Sequence, residues 1–140
     1  MMKSCDPEIL LREFGFTTTT DLLSEAAAAM QHAAESPDEE AVHRMRVSIR
    51  RFQQSLRLFS PVLREKGVKR VKRELKSVME PAGELRNHDI AIGLARGAKA
   101  STAALQERRG VAREQFLMAL RTVAHDDLAD HWRDALEIPA

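Results

Sequence analysis

Residues 41–59 read AVHRMRVSIRRFQQSLRLF, a stretch in which apolar residues recur at regular intervals among five arginines. At 3.6 residues per helical turn, intervals of three and four place these apolar residues on one face. That face consists of Val42, Met45, Ile49, Phe52, Leu56 and Phe59. The spacing predicts an amphipathic helix whose apolar face is buried in a helical bundle.

A second stripe of the same helix carries positive charge. At about 100° per residue, its members lie within about 60° of one another, and their centre is about 120° from that of the apolar face. The stripe consists of His43, Arg46, Arg50 and Arg57, whereas Arg44 and Arg51 fall on a third side. We expect one face of this helix to pack and the neighbouring edge to present a row of cations.

The next helix, predicted over 68–80, has the same design. Its apolar stripe is Val68, Val71, Leu75, Val78 and Met79, and its basic stripe is Lys69, Lys72, Arg73 and Lys76. A short connection favours antiparallel packing of the two helices, so their basic edges can face each other across a groove. Cations on successive turns would then stand about 5 Å apart along each wall.

The rest of the chain is helical in composition and lacks the sustained two-residue alternation that indicates strands. Threonines at 17–20 offer N-caps for a helix through residue 34, and Pro81 and Gly83 predict a kink or a break. Further helices are predicted over 38–59, 84–98, 101–124 and 126–137. The sequence predicts an all-α fold, with an arm over 1–16 and, over 17–140, an up-down bundle of four main helices plus short terminal helices.

Charge is strongly segregated along the chain. Residues 42–76 hold twelve of the 22 Lys/Arg and only two of the 21 Asp/Glu, a net charge of +10. A solvated face is the plainer interpretation of a charged stripe. However, like-charged pairs four residues apart, such as Arg46/Arg50, Lys69/Arg73 and Lys72/Lys76, each cost roughly a few tenths of a kcal/mol. The block favours a polyanionic partner, whether nucleic acid, polyphosphate or an anionic membrane.

Several other classes of function lack support in the sequence. The single cysteine, Cys5, excludes an internal disulfide and a cysteine-built metal site. His43 has no second metal ligand at suitable spacing on its face. There is no Gly-rich phosphate loop, Ser-His-Asp pattern or suitably spaced carboxylate pair. Nor is there an apolar run of about 18 residues for a membrane span. We expect a cytoplasmic protein without catalytic activity, cofactor or metal.

Two short motifs resemble those of a known family. The first is His43-x-x-Arg46-Val47-x-x-Arg50-Arg51, continuing to Leu56 and Phe59. It is similar to the opening signature of the CHAD family, the conserved histidine α-helical domain. The second, AGELRNHDI at 82–90, resembles that family's Gly-x-x-Arg-Asp-x-Asp-Val segment, with Arg86 and Asp89 at matching positions. The resemblance covers roughly residues 40–95 well and the remainder only in helical character.

The resemblance implies an all-helical fold whose basic groove binds inorganic polyphosphate, with no catalytic activity of its own. A polyphosphate-binding protein of this kind is expected in the cytoplasm, where polyphosphate granules are a candidate site of association. The ligands it implies are His43, Arg46, Arg50, Arg51 and Arg86. Helix geometry adds Arg57, Lys69, Lys72, Arg73 and Lys76, and Asp89 is expected to orient an arginine.

Two features depart from the family's pattern. Asn87 stands where the family usually has its first aspartate, which replaces charge pairing there by hydrogen bonding. The chain is also long enough for only one of the two four-helix units from which the family is usually built. Apolar seams left uncovered in a single unit favour a homodimer.

Alternative interpretations concern both the ligand and individual arginines. The chain could be a nucleic-acid-binding helical protein or an accessory subunit of a phosphate-metabolising enzyme. It has no Tyr, one Trp and five Phe, none interleaved with the basic stripe, which leaves little for base stacking. Arg46 and Arg50 could instead be structural partners of Asp89 and Glu84.

Overall fold

The computed structural model describes residues 6–139, which form five α-helices and one 3₁₀ turn and, within that range, no strand. The elements are α1 (Pro7–Glu35), α2 (Glu39–Leu58), the 3₁₀ turn (Ser60–Val62), α3 (Glu65–Gly97), α4 (Ala103–Val123) and α5 (Leu128–Ala135). The predicted all-α fold is confirmed. Residues 1–5 of the predicted arm, Cys5 among them, and Ala140 lie outside the described residues.

The four long helices form two hairpins. α1 packs chiefly on α2, and α3 packs chiefly on α4, while fewer contacts join the two hairpins. The 3₁₀ turn leads from the end of α2 to the start of α3, and the start of α2 lies beside residues 82–90 of α3. α2 and α3 therefore run in opposite directions, and a pocket lies between the start of α2 and the middle of α3.

The apolar seams predicted for α2 and α3 lie in the core. Met45, Ile49, Phe52 and Leu56 are fully buried, as are Val71, Leu75 and Val78. α5 packs against α1 and α3, and its Trp132 ring lies 5.3 Å from the ring of Phe52 between centroids. α5 approaches α3 closely at Gly67, where an added Cβ would overlap the carbonyl oxygen of Ala135. One core thus joins both hairpins and α5.

The first helix begins ten residues earlier than the threonine run predicts. The Asp6 side chain accepts a hydrogen bond from the Glu8 N–H at 2.9 Å, and Pro7 occupies the first turn. An acidic N-cap followed by proline is a strong helix start, and α1 then continues through the threonines to Glu35. Residues 7–16 of the predicted arm are therefore helical, although their side chains up to Phe14 are exposed.

Of the kink or break predicted at Pro81 and Gly83, the break is wrong, because α3 passes through both residues. A proline inside a helix costs about 3 kcal/mol through its lost N–H and its clash with the preceding turn. The apolar stripe continues across it, however, with Val78, Ala82 and Leu85 all buried. Burial of these side chains offsets the cost, so the two helices predicted over 68–80 and 84–98 are one.

Candidate anion-binding site

A pocket of about 390 Å³ lies where the turn before α2 meets the middle of α3 and α4. Its apolar lining includes Val42, Ala82, Leu85 and Phe116. Its polar lining includes His43 and Arg46 from α2, Arg86 and Asp89 from α3, and Arg109 and Arg113 from α4. Asp38 and Glu39, at the start of α2, also line it. Four predicted site residues, drawn from two motifs about forty positions apart in the sequence, therefore share one pocket.

Arg46 is one of the half-buried arginines of this pocket. Burial lowers the pKa of its guanidinium, and repulsion from Arg50 on α2 and Arg86 on α3 lowers it further. Its Nε atom is buried and, among the described residues, has no hydrogen-bond acceptor. Arginine nonetheless stays protonated at neutral pH. The site therefore concentrates positive charge from two helices around a guanidinium that an anion would stabilise.

Most of the predicted cations are unopposed. Within the part of the chain that the structure describes, no carboxylate lies within 4.0 Å of the charged groups of six of them. These are Arg46, Arg50, Arg57, Lys72, Arg73 and Arg86. All but Arg46 are exposed, as is His43. Arg46 and Arg50 do not form the alternative pairs with Asp89 and Glu84.

Arg51 lies apart from this group. Its guanidinium is 3.8 Å from the carboxylate of Glu25 on α1, so it faces the partner helix of its own hairpin. Arg46, in contrast, is close to Arg86 on α3. The resemblance places both arginines in one anion site, but the structure directs them to different sides of α2.

Two lysines of α3 have carboxylate neighbours as well as like-charged ones. Lys69 lies 3.5 Å from Glu65, and Lys76 lies 3.6 Å from Glu80, in each case one helical turn away. All four side chains are largely exposed, so each pair contributes at most about 0.5 kcal/mol. Lys69 and Lys76 therefore have the mixed-sign neighbours of an ordinary solvated face, and Lys72 and Arg73 carry the stronger signal on this helix.

Asp89 contacts an arginine that the sequence did not indicate. Its carboxylate forms an ion pair with the Nε group of Arg109 on α4. Arg113, one turn further along α4, lines the same pocket and is half-buried. Its nearest paired carboxylate is that of Glu114, the next residue in the chain, at 3.9 Å. α4 thus supplies a third wall.

Arg109 and Arg113 lie outside both family motifs and outside the basic block, which is why they were missed. One signal was present: the two residues are a like-charged pair four positions apart, the spacing that singled out the stripes of α2 and α3. Their place in the site depends on how the α3–α4 hairpin packs, which local spacing does not show.

The chain is a helical module in which arginines from α2, α3 and α4 line one pocket. The model of the CHAD domain family matches residues 20–140, most of the chain, and the chain therefore belongs to the CHAD family. This family is a class of helical binding modules associated with polyphosphate. Comparison with curated proteins and with solved structures finds no match.

No helix within residues 6–139 combines the length and the apolar character that crossing a bilayer requires. The same range holds no group of three or more His, Cys, Asp or Glu side chains arranged to bind a metal ion.

Proposed function

We propose that the basic edges of α2 and α3 face each other across a cleft that extends from the pocket, and that this chain binds inorganic polyphosphate in that cleft. The observation that carries the proposal is the environment of Arg46, which is half-buried, repelled by Arg50 and Arg86, and without a carboxylate partner among the described residues. Placing cations this way destabilises the free protein, and a bound polyanion removes the cost. Membership of a family associated with polyphosphate supports the same conclusion.

In this proposal, cations along the cleft neutralise the negative charges of successive phosphates of the chain. Guanidinium groups donate paired hydrogen bonds to phosphate oxygens, and such charge-assisted bonds are about twice as strong as neutral ones. On the α2 wall, the ligands are Arg46, Arg50 and Arg57, with His43 at the end of the row. On the α3 wall, Lys72 and Arg86 are the principal ligands, with Arg73, Lys69 and Lys76 contributing long-range charge.

The pattern of aromatic side chains favours polyphosphate over nucleic acid. Phe52, Phe116 and Trp132 are fully buried in the core. Proteins that bind single strands without sequence preference stack bases on accessible aromatic rings, and the cleft offers none from these residues. The proposed role is that of a non-catalytic binding module located in the cytoplasm. Such a module could also act as an accessory subunit of a phosphate-metabolising enzyme.

We also propose that two copies of the chain associate. The first two turns of α1 are exposed on all sides and carry Leu10, Leu11 and Phe14. Phe14 is 63% exposed although its ring contacts Phe59. Leu58, the residue before Phe59 in the chain, is also exposed. Burying this apolar surface, the terminal patch, against a second copy would restore the paired units that the family resemblance implies.

The function is tested by titrating the protein with long-chain polyphosphate at near-physiological salt, using calorimetry. Reversing two charges in the cleft, with Arg46→Glu and Arg50→Glu, should weaken binding at least about a hundredfold, since each lost charged hydrogen bond is worth about 1.5 kcal/mol or more. The matched control is Arg44→Glu with Arg51→Glu. It makes the same change in charge on the same helix, at exposed residues paired with Glu40 and Glu25.

The control should bind within a few-fold of the unaltered protein, and circular dichroism should show unchanged helicity in both variants. Equal losses in the two variants would contradict a site between α2 and α3. A second titration with single-stranded DNA of matched total charge should give weaker binding. Equal affinity for DNA and polyphosphate would instead favour the nucleic-acid-binding alternative.

A further inference from the structure

The pocket differs from the rest of the cleft because three helices contribute cations to it. Arg46 comes from α2, Arg86 from α3 and Arg113 from α4, and all three line the same volume of about 390 Å³. Further along the cleft towards the 3₁₀ turn, the predicted ligands come from α2 and α3 alone. The pocket can therefore surround a group from three directions, whereas the cleft can meet a chain only from two.

The row of cations on α2 stops at this pocket. Beyond His43, the helix begins with Asp38, Glu39 and Glu40, and the first two of these line the pocket. The Asp38 carboxylate accepts a hydrogen bond from the Ala41 N–H at 2.8 Å and is fixed in place as the N-cap. A polyanion that continued past His43 would meet these carboxylates, and their repulsion would oppose it.

The α3 wall changes character at the same level. One and two turns after Arg86 stand Ile90, which lines the pocket, and Leu94, which is 72% exposed. Asp89, which immediately precedes Ile90, is held against Arg109 on α4. An apolar wall and a carboxylate already paired with its own arginine offer no free cation for the next phosphate of a chain.

We propose that this pocket binds the terminal phosphate of a polyphosphate chain, so that the protein recognises the end of the polymer and not only its length. The inference rests on the proposed polyphosphate-binding function. Internal phosphates have two non-bridging oxygens and one negative charge. A terminal phosphate has three non-bridging oxygens and approaches two negative charges near neutral pH, as a phosphate monoester does. Three oxygens and the extra charge match guanidinium groups on three sides.

Chains with blocked ends test the inference. Polyphosphate of one length is prepared with native ends and with both ends converted to phosphoramidates of a neutral amine. The conversion removes the second negative charge and the third non-bridging oxygen of each terminal phosphate, so that each end resembles an internal phosphate. Calorimetric titration should show that the blocked chain binds about tenfold more weakly or worse, the loss expected for one charged contact. Arg113→Gln should weaken binding of the native chain to about the level of the blocked chain and leave binding of the blocked chain unchanged.

Arg57→Gln is the control, since Arg57 is an exposed residue of α2 that does not line the pocket. As a proposed ligand of the cleft, it should weaken binding of both chains by the same factor when replaced. If Arg113→Gln lowers the melting temperature, His43→Gln, an exposed change at the pocket, takes its place. Equal affinity for native and blocked chains would overturn end recognition while leaving polyphosphate binding intact. Absence of binding to either chain would overturn the proposed function itself.

Discussion

Arg46 and Arg51 show what a sequence can specify about single side chains. They are five residues apart on α2, and the family motif includes both. Helix geometry alone assigns them to different sides, and the structure places Arg46 near Arg86 and Arg51 near Glu25. The angular position of a residue was predictable because it follows from the helical repeat. Its partner was not, because that depends on which helix packs against that side.

The unfavourable environment of Arg46 should be measurable as stability. Replacing Arg46 by methionine, which is unbranched and apolar, removes a buried donor without an acceptor and two repulsive interactions with neighbouring cations. We expect the free energy of unfolding to rise by about 1 kcal/mol, measured by urea denaturation of the ligand-free protein. Affinity for polyphosphate should fall in the same variant.

The comparison variant is Arg51→Met, which removes one side of an exposed pair at 3.8 Å. Such a change should alter the free energy of unfolding by no more than about 0.5 kcal/mol and should leave polyphosphate affinity unchanged. A loss of stability in Arg46→Met would mean that Arg46 stabilises the fold. Its environment would then not be unfavourable in the ligand-free protein and would give no support to anion binding.

At the scale of helices, buried faces were predicted better than ends. The predicted seams of α2 and α3 are confirmed. Each seam was predictable because many apolar residues contribute to the burial of one face, so the prediction does not depend on a single residue. The start of α1 and the break at Pro81 were wrong because each rested on one local signal. A capping aspartate overrode the threonines in α1, and burial of Ala82 and Leu85 overrode the proline in α3.

Two glycines of α3 give a matched test of how α5 is held. A Cβ at Gly67 would overlap the backbone of Ala135, whereas a Cβ at Gly93 would meet nothing within 4 Å. Gly67→Ala should therefore lower the free energy of unfolding by about 1–3 kcal/mol through overpacking. Gly93→Ala should raise it by about 0.5–1 kcal/mol, because alanine favours the helix. Thermal melting followed by circular dichroism measures both.

Opposite signs for the two glycine variants are the essential outcome. If Gly67→Ala proved as stable as the unaltered protein, α5 would not rest on the start of α3 in solution. The position of Trp132 against Phe52, which depends on the same docking, would then need revision.

At the scale of the molecule, two of the three walls of the site were predictable. The basic block from 42 to 76 and the second motif indicate α2 and α3. The contribution of α4 was not predictable, since Arg109 and Arg113 reach the pocket only through the packing of α4 on α3. Charge segregation along a sequence identifies a basic surface, but the assembly of hairpins decides which outlying cations join it.

Self-association through the terminal patch is a prediction about the whole molecule. Light scattering coupled to size exclusion should give a mass of two chains of 15.7 kDa each. Substituting Leu10→Ser together with Leu11→Ser should shift the mass to one chain. Both leucines are about half exposed on α1, and serine in their place would gain no hydrophobic free energy from burial in the dimer. Leu94→Ser, an exposed apolar residue near the end of α3, should leave the dimer intact. A monomer at all concentrations in the unaltered protein would refute the dimer.

The central claim is that a polyanion lies between α2 and α3. Its most direct test is a titration with polyphosphate in which nuclear magnetic resonance follows the arginine Nε–H signals. We expect the signals of Arg46, Arg50 and Arg86 to shift together and saturate together, while those of Arg51 on the α1 side and Arg121 on the far end of α4 stay in place. Shifts at Arg51 as large as those at Arg46, or unmoved Arg46 and Arg86 signals at saturating polyphosphate, would contradict the account.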